Sequence, residues 1–368
     1  MLDFFHPSEP FSGQTQRLVA RAQNGAADIF EIAQFADNVT VGDVASWNKT
    51  WEDLAKKAEA EAVDAESKGH KATAIERFFH ASTYWQMSDV FSAGEADRSG
   101  PFIKSQDMFR RGARLHEPEI RVVSVKYGDE VYDGYYCLPA GMKPGQKVPG
   151  VLFIGGADAF TEETYFSGKG VLDRGMAMLL LDLPGRGSSL YLKGIPTRYD
   201  YEKPSAAAFD WLEAQPEIDS TRLGLLGISF GGYYAPRVAA FEPRVKALVA
   251  WGGMMNVTED IWDFHPRSHK MMQYLTGTTD DAAALKVLEP FNLTDVAPKI
   301  SCPTMITHGA KDGISSVAGA EKLYALVGAK DKQLHIFKGP GAVHCNYDDW
   351  RHAVPLMFDW LRDKLDGA

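Results

Sequence analysis

Six short apolar runs, each closed by glycine or a polar turn, constrain this chain most. They read PGVLFIGGADAF, GMAMLLLDLPGRGSS, RLGLLGIS, VKALVAWGG, CPTMITHGAKD and KQLHIFKG, all in the C-terminal two thirds. Runs of four to eight apolar residues without alternation are strands buried on both faces. Segments of helical pattern lie between several of them, at about 203–214, 230–240, 316–328 and 349–365. Strands alternating with helices cannot pair as hairpins, so the expectation is an α/β fold with a mostly parallel central sheet flanked by helices. The stretch IRVVSVKYGDEVYDGYYCLPAG, just before the first run, alternates around a GDE turn and predicts two antiparallel strands.

The N-terminal third has a different texture. Residues 1–14 read as an irregular arm, and from Thr15 to about Gly112 the pattern is helical. Gly69 offers a helix stop, after which a second helix restarts, predicting an antiparallel pair. Trp51, Leu54 and Ala58 share one face of the first helix, and Ile75, Phe78, Phe79 and Ser82 one side of the second. The division expected is an arm and helical domain over residues 1–115 and an α/β domain over 116–368. Trp47, Trp51, Phe78, Phe79, Tyr84 and Trp85 either pack between helices or shape a pocket for a planar ligand, and packing is the better expectation.

Composition narrows the partners. A formal net charge of −10 disfavours nucleic acid and anionic membrane surfaces. No apolar run approaches the ~18 residues of a membrane span, and the N-terminus lacks the basic and apolar regions of a signal peptide. Cys137, Cys302 and Cys345 are odd in number and widely spaced, as in a reduced, cytoplasmic setting. No metal-binding spacing, P-loop or dinucleotide fingerprint is present, so no cofactor is expected. The glycine-rich DLPGRGSS, Asp182–Ser189, reads as a structural turn near the pocket.

Within the third run, Gly227-Ile228-Ser229-Phe230-Gly231 followed by Gly232 places a serine where an apolar strand gives way to a helix. A serine on so sharp a turn is strained and closely approached by neighbouring chain, so positions two before and two after it must lack bulk. A hydroxyl held above a sheet edge is a candidate nucleophile, and it needs a base. In this architecture the order is Ser, acid, His. Of ten histidines, His6, His70, His80 and His116 precede the serine. His308 and His335 sit within strands, His265 and His269 lie just beyond the segment after the fourth strand, and His352 belongs to the last helix. His344 remains, in the loop GPGAVHCNYDDW after the last strand. Asp312, directly after MITHG, is the expected acid, better placed than Glu321 within a helix or Asp331 before a strand. Its role is to accept the histidine's Nδ1–H. The oxyanion donors expected are the N–H of Phe230 and one from the loop FIGGADAF, at Gly156 or Ala157.

The segments GKGVLDRGMAMLLLDLPGRG, GISFGGYYAPRVAAFEPRV, WGGMMNVTEDIWDF and CPTMITHGAKD, with the helical WEDLAKKAEAEA region, resemble the α/β-hydrolases with a helical N-terminal domain. That group includes 2,6-dihydroxypseudooxynicotine hydrolase, the fungal pigment polyketide-shortening hydrolases and FrsA-like proteins. The likeness runs from about residue 45 to the end. It implies the α/β-hydrolase fold with an N-terminal helical lid domain, and Ser229, Asp312 and His344 as nucleophile, acid and base. It also implies hydrolysis of a carbon–carbon bond next to a ketone in an acyl-aryl or polyketide-like 1,3-dicarbonyl small molecule, and a homodimer. One member uses an assisting carboxylate after the strand ending WGG, and here that segment offers Glu259, Asp260 and Asp263. A carboxylesterase or lactonase with the same triad is the enzymatic alternative, and a non-catalytic binding protein on this fold is the remote one.

Overall fold

The computed structural model describes residues 4–5, 9–92 and 99–367. The chain forms two compact units: Met1–Arg121 with Tyr165–Lys169, and Val122–Thr164 with Gly170–Ala368.

The first unit is helical: α1 (Glu9–Ala22), α2 (Ile29–Asn38), α3 (Val44–Ser67), α4 (Lys71–Met87) and α5 (Ser99–Leu115). The expected irregular arm is overturned from Glu9 onward, because Phe11, Thr15 and Leu18 supply a buried face that a helix can use. Residues 1–3 and 6–8 of that arm lie outside the described residues. The helix pair forms as α3 and α4, turned by Gly69 at φ +74°. Asp43 caps α3 by accepting the Ala45 N–H at 2.9 Å. On α3 the buried stripe is Trp47, Trp51, Ala55, Ala58, Ala62 and Ala65, with Leu54 only half-buried. The alanines let α4 approach, and α4 is buried on all sides over its C-terminal half. Trp47, Trp51, Phe78, Phe79, Tyr84 and Trp85 are all buried, so these rings are core. Phe35 stacks on Trp51 at 3.9 Å and meets Trp47 edge-on at 5.0 Å. The buried Glu31 is compensated by Arg77 at 2.9 Å and the Tyr84 hydroxyl at 2.8 Å. Burial opposes its charge, but these partners outweigh it and hold the carboxyl below its usual range.

The second unit is built on an eight-stranded sheet in the order β1-β2-β4-β3-β5-β6-β7-β8. The strands are β1 (Arg121–Tyr127), β2 (Glu130–Cys137), β3 (Val148–Ile154), β4 (Ala177–Leu181), β5 (Ile218–Ile228), β6 (Val245–Trp251), β7 (Thr304–Gly309) and β8 (Lys332–Phe337). β1 and β2 are joined by a turn at Gly128 with φ +60°. β2 lies antiparallel to β4, and all pairs from β4 through β8 are parallel. β3, β4 and β7 are buried at every position, as central strands covered on both faces require. The edge strand β8 is half-buried throughout.

Helices α6 (Thr161–Leu172), α7 (Gly187–Tyr191), α8 (Glu202–Glu213), α9 (Gly231–Phe241), α10 (His269–Thr276), α11 (Asp281–Leu288), α12 (Val317–Leu326) and α13 (Trp350–Asp366) fill the connections. From β3 the chain goes to β4 on one side, then returns to β5 on the other. The loops after β3 and β5 therefore diverge, opening a crevice at the carboxyl ends of these strands. Among the described residues, no helix is long and apolar enough to cross a membrane.

Candidate active site

Ser229 occupies the turn between β5 and α9 with φ 57°, left-handed backbone that a non-glycine residue rarely adopts. Three glycines make the turn possible. A methyl group on Gly227 would lie 2.0 Å from the Gly231 carbonyl oxygen, one on Gly231 2.2 Å from that of Ile154, and one on Gly232 2.7 Å from that of Gly252. The Ser229 N–H donates to the Trp251 carbonyl at 2.8 Å, tying the turn to the end of β6. The result is a serine whose position is set by backbone alone.

His344 reaches this serine from the loop after β8. Cys345 and Asn346 both adopt positive φ, 47° and 55°, so the chain doubles back immediately after the histidine. The fully buried Asn346 fixes that bend: its Oδ1 accepts from Trp251 Nε1 at 2.9 Å and its Nδ2 donates to the Gly341 carbonyl at 2.5 Å. Trp350 Nε1 donates to the Cys345 carbonyl at 3.0 Å. Asp312 follows β7, where a methyl on Gly309 would fall 2.2 Å from the Ala342 carbonyl oxygen, so β7 and the histidine loop are in backbone contact. Asp312 Oδ1 accepts the N–H groups of Ile314 and Ser315 at 2.8 and 3.0 Å. That leaves Oδ2 toward His344.

The side chains form one hydrogen-bonded line. His344 Nδ1 lies 2.7 Å from Asp312 Oδ2, and His344 Nε2 lies 2.8 Å from Ser229 Oγ. A carboxylate can only accept, so Nδ1 carries the proton and Nε2 is the acceptor for the serine hydroxyl. Burial opposes the charge on Asp312, but the facing His344 outweighs it and holds the carboxyl down at about 2. Burial likewise opposes a charged His344, yet Asp312 and then Cys345 raise it well above the ordinary histidine value. Behind Asp312 stands His308, buried in β7, with Nε2 3.2 Å from Ser315 Oγ and 3.7 Å from Asp312 Oδ2.

The loop after β3 closes against the serine. Gly156 packs against it: a methyl there would sit 3.1 Å from Ser229 Cβ and 3.4 Å from Oγ. The N–H groups of Phe230, Gly156 and Ala157 donate to no acceptor among the described residues.

The three carboxylates expected to assist stand apart from one another in their surroundings. Asp260 is buried, and its Oδ2 accepts the Met255 and Asn256 N–H groups at 2.7 and 2.9 Å, pinning the chain after β6. Gly319 is glycine because a methyl there would lie 2.1 Å from that same oxygen. Glu259 is exposed and paired with Lys322 at 2.8 Å. Asp263 donates its backbone N–H to the Thr258 carbonyl at 2.9 Å, and its exposed carboxylate makes no hydrogen bond or ion pair among the described residues. Both Glu259 oxygens and Asp260 Oδ2 are thus engaged within the protein. The segment does bring a residue that sequence reasoning set aside. His265 is half-buried near the pair: burial lowers its pKa, helped by the charges of Arg267 and His344 and opposed by Asp312, and its ring meets the Gly313 backbone. No sequence spacing signals this, because β6 and β7 are joined by more than fifty residues.

Sheet order, strained serine and downstream acid and histidine define an α/β-hydrolase. Residues 166–368 match the prolyl oligopeptidase family, and the chain belongs to it. It is 31% identical over 327 residues to the 2,6-dihydropseudooxynicotine hydrolase of Paenarthrobacter nicotinovorans, covering 87% of this chain and 85% of that protein. It is 29% identical over 409 residues to the 20-hydroxy-prefusarin hydrolase of Gibberella moniliformis, covering 96% of each. Among solved structures, 2,6-dihydroxy-pseudo-oxynicotine hydrolase superposes with a TM-score of 0.84 at 28% identity, covering 94% of this chain and 95% of that one. AbyA5, at 20% identity and a TM-score of 0.65, shares the fold.

Proposed function

We propose that this hydrolase uses Ser229, His344 and Asp312 as a catalytic triad to cleave a carbon–carbon bond next to a ketone in an acyl-aryl or polyketide-like 1,3-dicarbonyl substrate. The observation that carries the triad is the Asp312–His344–Ser229 line at 2.7 and 2.8 Å, set beside unpaired N–H groups. Ser229 gives its proton to His344 Nε2 as Oγ bonds to the carbonyl carbon, and the oxyanion accepts from Phe230 N–H and from Gly156 or Ala157 N–H. Collapse breaks the carbon–carbon bond, and the leaving enolate takes the proton from His344. Water then attacks the acyl-serine by the same route and releases a carboxylate. The bond type is supported by the relatives named for hydrolysis of a pseudooxynicotine and a prefusarin. The same reading takes the protein to be a cytoplasmic homodimer without cofactor.

One observation favours a carboxylesterase or lactonase instead. A carbanion leaves far less readily than an alkoxide and profits from a nearby acid, yet two of the three carboxylates after β6, Glu259 and Asp260, are engaged elsewhere, which leaves Asp263 alone for that role. Turnover separates the two. An aryl 1,3-diketone and a p-nitrophenyl ester are offered to the parent protein and to Ser229→Ala. Diketone cleavage abolished by the substitution supports the carbon–carbon assignment, and ester turnover with no diketone cleavage overturns it. Unchanged activity in Ser229→Ala removes the triad altogether.

A further inference from the structure

We infer that Arg186 is a positioning residue that orients and polarises the Gly156 N–H as the second oxyanion donor, alongside Phe230. The inference rests on the acyl-transfer reading above, and it gives a purpose to the DLPGRGSS loop.

Arg186 is buried, at 3% exposure, in a loop built to turn it inward. Both its neighbours are glycines at positive φ, Gly185 at 82° and Gly187 at 43°. A methyl on Gly185 would lie 2.5 Å from Thr197 Cβ, and one on Gly187 2.1 Å from Asp182 Oδ1. Asp182 braces the loop from below, accepting the Ser188 N–H at 2.7 Å and the Thr161 N–H at 3.2 Å. The guanidinium then rests against two stacked rings, 5.6 Å from Tyr201 and 5.2 Å from Tyr234. Its Nε donates to the Tyr201 hydroxyl at 3.1 Å, and that hydroxyl donates onward to the Pro184 carbonyl at 3.0 Å.

Its Nη1 donates to the carbonyl oxygen of Gly155. The Gly155 carbonyl and the Gly156 N–H are the two ends of one planar trans peptide, and they point in opposite directions. A charge-assisted hydrogen bond at the oxygen stops that plane from rotating and draws electron density from the nitrogen, making the N–H a stronger donor. Gly156 is the residue that packs on Ser229, and its N–H is unpaired among the described residues. The Ala157 N–H belongs to the next peptide, whose carbonyl receives, among the described residues, only the Ala159 N–H at 3.5 Å. The choice between Gly156 and Ala157 therefore falls on Gly156.

The test compares Arg186→Gln and Arg186→Lys with the parent. The first readout is the second-order rate at which a fluorophosphonate modifies Ser229. The second is kcat and KM for a p-nitrophenyl ester, and the third is affinity for an aryl trifluoromethyl ketone, which becomes a hemiketal oxyanion on Ser229. A full oxyanion donor is worth about 10²–10³ in rate, so a misaligned one should cost roughly 10–100-fold. The glutamine protein is expected to lose that factor in phosphonylation, kcat and hemiketal affinity together, with KM within about threefold, and the lysine protein to fall between. A packing defect alone would lower the melting temperature without that parallel loss. Parent-like phosphonylation and hemiketal affinity in a folded Arg186→Gln protein overturns the inference. If the glutamine protein does not fold, the lysine protein decides by the same comparison. Failure of the parent itself to be labelled at Ser229 would instead overturn the acyl-transfer reading.

Discussion

Replacing Asp312 by asparagine tests the site at its least exposed member. Oδ1 is held by the N–H groups of Ile314 and Ser315, so the new amide must keep its oxygen there and place its NH2 where Oδ2 stood. That NH2 then faces His344 Nδ1 at about the 2.7 Å of the parent contact. A donor there forces Nδ1 to accept and moves the ring proton to Nε2, which now presents N–H to Ser229 Oγ and cannot take its proton. The negative charge that steadies the imidazolium is also gone. Two charge centres about 4 Å apart at an effective dielectric near 20 interact by about 4 kcal/mol, and the wrong tautomer adds to this. The sum corresponds to a loss of about 10³–10⁴ in kcat. The assay is p-nitrophenyl ester turnover beside the rate of fluorophosphonate labelling, with melting temperature recorded to show that the variant folds. A folded Asp312→Asn protein within tenfold of the parent kcat would refute the tautomer argument and with it the role assigned to Asp312.

Three further outcomes follow from the same geometry. His344, the proposed base, can accept a proton only when neutral, and Asp312 raises its pKa, so kcat/KM should fall as pH drops through a value above the ordinary 6.5. A midpoint below 6.5 contradicts this. Gly227→Ala should cost more than about 3 kcal/mol in urea unfolding, because its methyl meets a backbone oxygen at 2.0 Å. Gly13→Ala, exposed in α1 with nothing within 4 Å, should instead stabilise by up to about 1 kcal/mol, and equal effects of the two would dismiss the steric account. Asp260→Ala leaves the buried Met255 N–H and the half-buried Asn256 N–H without an acceptor and should lose about 2–4 kcal/mol. Glu259→Gln breaks an exposed pair and should change stability by less than about 1 kcal/mol. Parent-like stability of Asp260→Ala would show that Asp260 does not brace the loop.

Much of the second unit could be read in advance because buried parallel strands and a glycine-lined elbow leave local signatures. The runs around Phe153, Leu179, Leu225, Val249 and Ile306 are strands, and Ser229 sits on the turn its glycines require. The first unit was less legible at its start, since α1 opens in a segment with Pro10 and Gly13 whose helical form is secured by buried Phe11 and Leu18. The WGG segment left three candidates open for a different reason. Glu259, Asp260 and Asp263 are the same chemistry within five positions, and only folding distinguishes a salt-bridged carboxylate, a backbone-held one and one with no partner among the described residues.

By itself, the sequence determined where backbone could and could not go: glycine at 227, 231 and 232, hence a left-handed serine between strand and helix, because sterics between adjacent residues are local. It also limited the candidate acid and base to loops after the last two strands. Tertiary structure decided everything that depends on distant chain meeting. Asn346 and Trp251 bend the histidine loop, Ile314 and Ser315 turn one oxygen of Asp312 away, and Arg186 reaches the Gly155 carbonyl from 31 residues along the chain. Hydrogen-bond direction and electrostatic neighbourhood are properties of such meetings, and no spacing along the chain encodes them.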